Sequence, residues 1–135
     1  MTANSFVSVS LDPLIVSMTV ENDGRMQRAL GSSQGFTVSI LSSTQVAIAK
    51  AFADTSKGSD RFHGVEVVED TYGPRIAGAC GYLSCVLRER LVVGDHELIL
   101  ANVIVCELGA SEEPAIYFSR GYYEVGPRIV EGDTS

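Results

Sequence analysis

The chain has 135 residues, 45% apolar and 20% charged, with a formal net charge of −7. That length predicts one domain with its own core, and the apolar share excludes an intrinsically disordered chain. The acidic balance excludes a broad nucleic-acid surface, which needs a dense lysine and arginine footprint, while leaving room for local basic pockets.

The opening segment, residues 1–13, predicts a strand over 3–10. Strict alternation places Ser8 and Ser10 on one face and Val7, Val9 and Leu11 on a dry opposite face. The polar face suits either solvent or a polar ligand. The first ten residues hold no basic region and no apolar run, so no secretory leader is expected. A second strand is predicted over 14–20. A short helix follows over 23–30, capped by Asn22 or Asp23 and closed by Gly31.

Residues 36–41 predict a strand. A second helix runs from Ser43 or Thr44 to Ala53, capped by Ser42 or Ser43, with Val46, Ala49 and Phe52 or Ala53 as its apolar stripe. Residues 54–60 form a polar loop. Further strands are predicted over 65–69, 81–91, 97–107 and 115–118. Val93-Gly94-Asp95-His96 reads as a hairpin connection in which Gly94 supplies an unusual dihedral.

The strand over 97–107 is apolar on both faces, which calls for a cover on each side, a helix or a second subunit. Its longest apolar run, 98–106, is broken by Asn102 and is too short to span a bilayer. A domain over 1–125 is expected, with 126–135 as a loose tail. These elements describe a mainly β protein, an antiparallel barrel with two helices.

The usual catalytic constellations are not written in the chain. Gly31-Ser32-Ser33-Gln34-Gly35 has the wrong spacing for a phosphate loop, and no serine sits in a nucleophile elbow. Cys80, Cys85 and Cys106 fit no zinc spacing and cannot all pair with one another, so buried reduced thiols of a cytoplasmic protein are expected. With only His63 and His96 and scattered acids, no metal site is expected. What recurs are groups that suit a phosphate: Ser8 and Ser10, then Lys57, Ser59 and Arg61 around the polar loop. A solvated loop accounts for the same residues.

Several motifs together resemble the flavin reductase-like family, the FMN-binding split β-barrel reductases of two-component monooxygenases. They are residues 1–13, then Phe36-Thr37-Val38-Ser39-Ile40-Leu41 with Gln45 and Ala49, and Phe52-Ala53. Asp60-Arg61-Phe62 with Gly64, Gly94-Asp95-His96, and Tyr117 with Gly121 and Tyr122 follow in the family's order. The resemblance implies a split β-barrel, usually a homodimer, that lacks the helix and first strand which family members carry ahead of this opening. Leu14 stands where a second proline is common, and Ser39 where asparagine is common.

The resemblance also implies a binding site. Thr2, Ala3, Asn4, Ser5 and Phe6 would run along the isoalloxazine ring of FMN or FAD, with Asn4 and Ser5 bonding its polar edge. Ser8, Val9 and Ser10 would approach the ribityl chain and phosphate. The loop with Lys57, Arg61 and Phe62 would supply positive charge, and His96 would lie near the nicotinamide of NADH or NADPH. His63 has no such counterpart and reads as surface. The implied activity is an NAD(P)H-dependent flavin reductase feeding a monooxygenase, with no nucleic acid or membrane as partner. The alternatives are a flavin-binding protein of the same fold that stores or senses FMN, and a structural β-barrel dimer without cofactor.

Overall fold

The computed structural model describes residues 1–56 and 58–132. In chain order the elements are β1 (Val7–Leu11), β2 (Leu14–Glu21), α1 (Arg25–Gly31), β3 (Gly35–Ile40), α2 (Val46–Ala53), β4 (Val67–Val68), β5 (Arg75–Ile76), β6 (Gly81–Val93), β7 (His96–Leu108), β8 (Ile116–Phe118) and β9 (Gly121–Tyr123). Five strands form one antiparallel sheet in the order β1-β2-β7-β6-β3, while β4–β5 and β8–β9 pair separately. Short 3-10 turns at Ser43–Gln45 and Gly58–Phe62 precede and follow α2.

Strand β2 gives the sheet an inside. Val16, Met18 and Val20 are buried and alternate with the half-buried Ser17 and Thr19. They form one core with Leu30 of α1, Phe36 of β3, Cys85 of β6, and Ile99 and Ala101 of β7. Strands β6 and β7 join through Gly94-Asp95, with Val93 opposite His96. Gly94 takes a φ of 61°, as the expected turn requires.

A buried carboxylate ties α1 to this hairpin. Glu97 accepts hydrogen bonds from Gln27 Nε2 (2.7 Å), Arg90 Nη2 (3.2 Å) and Arg90 Nε. The Arg90 and Gln27 donors hold its carboxyl below the usual carboxylate range.

The opening strand departs from its expected form. It begins at Val7, because the residues ahead of it are held by isolated bonds to α2 and β2 and not by a ladder. A bulge also falls between Ser8 and Ser10: Ser8 pairs with Val16, but Ser10 pairs with Ile15. Directly opposed residues share a face and Val16 and Ile15 face opposite ways, so Ser8 and Ser10 are split across the sheet. The expected dry face fails as well. Val7, Val9 and Leu11 are 56%, 54% and 84% exposed on a strand paired only with β2.

Helix α1 is also capped differently. Its N-cap is Gly24, and Asp23 stands in the left-handed region at φ 60°. Asn22 is occupied elsewhere, its Nδ2 donating to Gly94 O at 3.0 Å, and Gln27 Oε1 accepts from the Asp23 N–H at 2.8 Å. The second cap falls at Ser42, as the sequence offered, but it closes the 3-10 turn that leads into α2, and α2 itself starts later than expected, at Val46. Ser42 and Gln45 form a reciprocal capping box, with Ser42 N donating to Gln45 Oε1 at 3.0 Å.

The predicted strand over 65–69 shrinks to β4, while β5 and β9 were not foreseen. The expected cover over both faces of β7 is incomplete. Along its first half Glu97, Ile99 and Ala101 on one face are buried and Leu98 and Leu100 on the other are half-buried, whereas Ile104, Val105 and Leu108 are exposed. Of the cysteines expected to be buried, only Cys85 is; Cys80 is half-buried and Cys106, on the uncovered half of β7, is exposed. Burial, then the neighbouring Cys106, pushes the Cys85 thiol up to about 11. Among the described residues no helix is long and apolar enough to cross a membrane.

Candidate functional site

Two anchors fix the segment ahead of β1. Thr2 Oγ1 donates to Ala49 O of α2 at 2.6 Å, and Thr2 N to Phe52 O at 3.3 Å. Further along, the Thr19 N–H of β2 donates to Ser5 Oγ at 3.1 Å. Between the anchors Ala3 and Asn4 carry exposed side chains.

The wall opposite is β3 with the loop that runs along its edge. Thr37 Oγ1 donates to Gly73 O at 2.8 Å, and Ile76 N to Ser39 Oγ at 3.0 Å. The loop is braced from outside by Arg75, which pairs with Glu107 at 2.9 Å and Asp70 at 3.4 Å and lies 4.9 Å over the Tyr82 ring. Tyr72, on the same loop, lies against Gly35, where a Cβ would stand 2.9 Å from its ring.

These walls, with α2 and the β8–β9 hairpin, enclose a cavity of about 790 Å³. That falls within the range of small-molecule sites, about 300–1,000 Å³. Its lining is largely apolar, with Met18, Phe36, Ile48 and Phe52 among it. A smaller hollow of about 500 Å³ is lined by Arg128, Ile129, Val130 and Glu131 alone, one stretch of chain with no second element facing it.

The structure separates the predicted site residues. Thr2, Ala3, Asn4, Phe6 and Phe62 line the cavity. Ser5 does not; its hydroxyl is bonded to β2 backbone, so it holds the segment in place and is not turned to a ligand. Ser8, Val9 and Ser10 lie outside the lining as well, divided by the bulge.

Arg61 sits in the turn beside the cavity, next to Phe62, whose ring meets Phe52 edge-on at 4.9 Å. Burial, and after it the charge of Arg61, hold the Met1 amino group below its usual range, so the guanidinium stands near the opening segment. Arg61 Nε is buried and has no hydrogen-bond partner among the described residues. Lys57 lies outside the described residues.

His96 opens β7 at the hairpin turn and is not in the cavity lining. Its Nδ1 lies 2.7 Å from Asp95 Oδ1, and this bond holds the Asp95 carboxyl below its ordinary range. Because an ionised carboxylate only accepts, Nδ1 carries the proton and Nε2 is the ring nitrogen left for another partner. His63 is exposed, as expected.

The sequence reading assigned no role to three parts of the wall: β3, Tyr72, and the pair Tyr117 and Tyr122. The aromatic run on either side of Ser119-Arg120 was the available signal for a second short hairpin.

Comparison with known proteins places this arrangement. Residues 1–126 match the flavin reductase like domain family. An NADH-dependent FAD reductase of Streptomyces globisporus is 36% identical over 136 residues, spanning 98% of this chain and 75% of that protein. The reductase component of 4-hydroxyphenylacetate 3-monooxygenase from Thermus thermophilus is 34% identical, spanning 90% of this chain and 76% of that protein. The structure of a Streptomyces globisporus C-1027 NADH:FAD oxidoreductase in complex with NAD and FAD fragments superposes with a TM-score of 0.83. It is 34% identical and spans 100% of this chain and 79% of that one. The motifs, the split-barrel sheet and these similarities agree, and the chain belongs to the flavin reductase-like family.

Proposed function

We propose that this protein is an NAD(P)H-dependent flavin reductase that reduces FMN or FAD and passes the reduced flavin to a partner flavin-dependent monooxygenase. The observation that carries the reading is the cavity between the Thr2-to-Phe6 segment and β3, with Arg61 beside it. Its residues fit a flavin. A planar apolar ring suits the apolar lining, and a phosphate oxygen would satisfy the unpaired N–H of Arg61. The relatives named above, an NADH-dependent FAD reductase and a monooxygenase reductase component, support the same reaction.

The flavin supplies the redox chemistry, accepting a hydride from the reduced nicotinamide, which leaves as NAD(P)⁺. The chain's own part is to bind and orient. Thr2, Ala3, Asn4 and Phe6 lie along the ring, Ser5 fixes that segment to β2, and Arg61 with Lys57 neutralises the phosphate. Phe62 forms part of the cavity wall, and Ser8, Val9 and Ser10, outside the lining, would meet the ribityl chain and phosphate only where these extend beyond the cavity. His96, with Nε2 free, positions the nicotinamide. A homodimer accounts for the exposed apolar residues of β1 and of the second half of β7. Three free cysteines suit a reducing compartment, the cytoplasm.

One observation favours a second reading, a flavin-binding protein that holds FMN without turnover: His96 lies outside the cavity lining. Following NADH and NADPH oxidation with added FMN, FAD or riboflavin decides between them. Turnover supports the reductase. Flavin binding without turnover supports the second reading.

A further inference from the structure

The β8–β9 hairpin is separate from the main sheet and only three residues long on each side. Backbone bonds tie the segment leading into it to the turn ahead of α2. Ser43 N donates to Glu113 O at 2.8 Å, Ala115 N to Leu41 O at 2.9 Å, and Ser42 bridges Pro114.

Its turn is strained. Ser119 and Arg120 have φ of 47° and 65°, a left-handed pair written without glycine. Such strain persists only where the surroundings hold it, and it gathers at ligand clamps.

The two faces of the ribbon differ. Tyr117 and Tyr122 are directly opposed, share one face, and line the cavity. Their rings are 5.2 Å apart and tilted by 56°. Phe118 and Tyr123 are the other aromatics of the hairpin; they do not line the cavity and are 67% and 54% exposed. Tyr117 is 48% exposed although it lines the cavity, so much of its surface has no protein neighbour.

From this geometry we infer that Tyr117 and Tyr122 form an aromatic clamp that packs on the isoalloxazine ring of a flavin held against Thr2, Ala3 and Asn4. This rests on the flavin reading above and adds to it the residues that pack on one face of the ring, the other face being left to the nicotinamide. Aromatic rings pack offset or edge-on with centroids about 4.5–7 Å apart, and a tilted pair offers a fused three-ring system one contact of each kind. Phenol rings touching a flavin also quench its fluorescence by donating an electron to the excited ring, which gives the clamp a signature that a structural role lacks.

The test uses the full chain with FMN as the probe, its affinity measured by equilibrium dialysis and its emission when bound by fluorescence. The wild type is expected to bind FMN and quench it. A Tyr117→Leu/Tyr122→Leu double variant should bind about tenfold more weakly and restore much of the emission. Tyr117→Phe/Tyr122→Phe, which keeps the rings, should hold wild-type affinity to within about twofold. Phe118→Leu, on the outer face, should change neither readout.

Thermal unfolding of each variant separates loss of fold from loss of contact. A folded double leucine variant with wild-type affinity and quenching overturns the clamp and leaves the flavin reading standing. The clamp is likewise overturned if Phe118→Leu matches the effect of the double variant. A wild-type chain that binds no flavin overturns both.

Discussion

Gly35 is a point of close approach between β3, β6 and Tyr72 of the cavity wall, and replacing it by alanine tests that packing. It pairs with Val86 across the β3–β6 ladder. A methyl group there would overlap the Cys85 carbonyl oxygen and stand 2.9 Å from two carbons of the Tyr72 ring. The obstacle on one side is backbone in a paired strand, which cannot rotate away. Overpacking costs about 1–3 kcal/mol where side chains can shift, so the upper end, about 3 kcal/mol, applies here. With a urea m-value of about 1.5 kcal/mol/M, the midpoint should fall by about 2 M at unchanged slope. The melting temperature should fall by about 10 °C. Gly126→Ala is the control, because a Cβ there meets nothing within 4 Å; it should stay within about 0.5 kcal/mol of wild type. A Gly35→Ala protein with the wild-type urea midpoint would refute the close approach.

Two further outcomes follow from the polar groups. Glu97 has a lowered folded-state pKa, so its pairing contributes stability above the unfolded carboxyl value and loses it as pH falls through the folded one. Wild-type stability should therefore decline on acidification below about pH 4.5, and Glu97→Gln should be less stable at neutral pH with a flatter acid limb. Urea midpoints across a pH series check this, and parallel acid limbs would contradict it. Arg61→Ala should weaken FMN about tenfold while leaving riboflavin, which has no phosphate, unchanged. Equal losses for both flavins would move Arg61 away from the phosphate.

How much of this could be read beforehand depends on how local its cause is. The β6–β7 hairpin was legible because two long strand-like runs flank a glycine that permits a positive φ. Ser42 was legible as a cap because its partners lie within one turn; the return bond from Gln45 that completes the box was not foreseen. The bulge at Val9 was not: Val7 to Leu11 alternates without fault, and the extra residue shows only in the register against β2. The cap of α1 was lost because Asn22 bonds a carbonyl 72 residues away.

The site divides in the same way. The opening segment was marked by its motif, but the cavity is made where it meets β3, the Tyr72 loop and β8–β9, and no spacing along the chain encodes that meeting. Ser5 illustrates the limit, since a hydroxyl suited to a ligand serves Thr19. Cys106 does too, since an apolar strand can run past the elements that cover it.

The measurement that bears most directly on the account is loss of NADH and NADPH absorbance by the purified chain with FMN, FAD and riboflavin, each alone and without flavin. The account predicts oxidation that needs both the protein and a flavin, with reduced flavin as product. A folded chain that oxidises neither nicotinamide with any of the three flavins would contradict it.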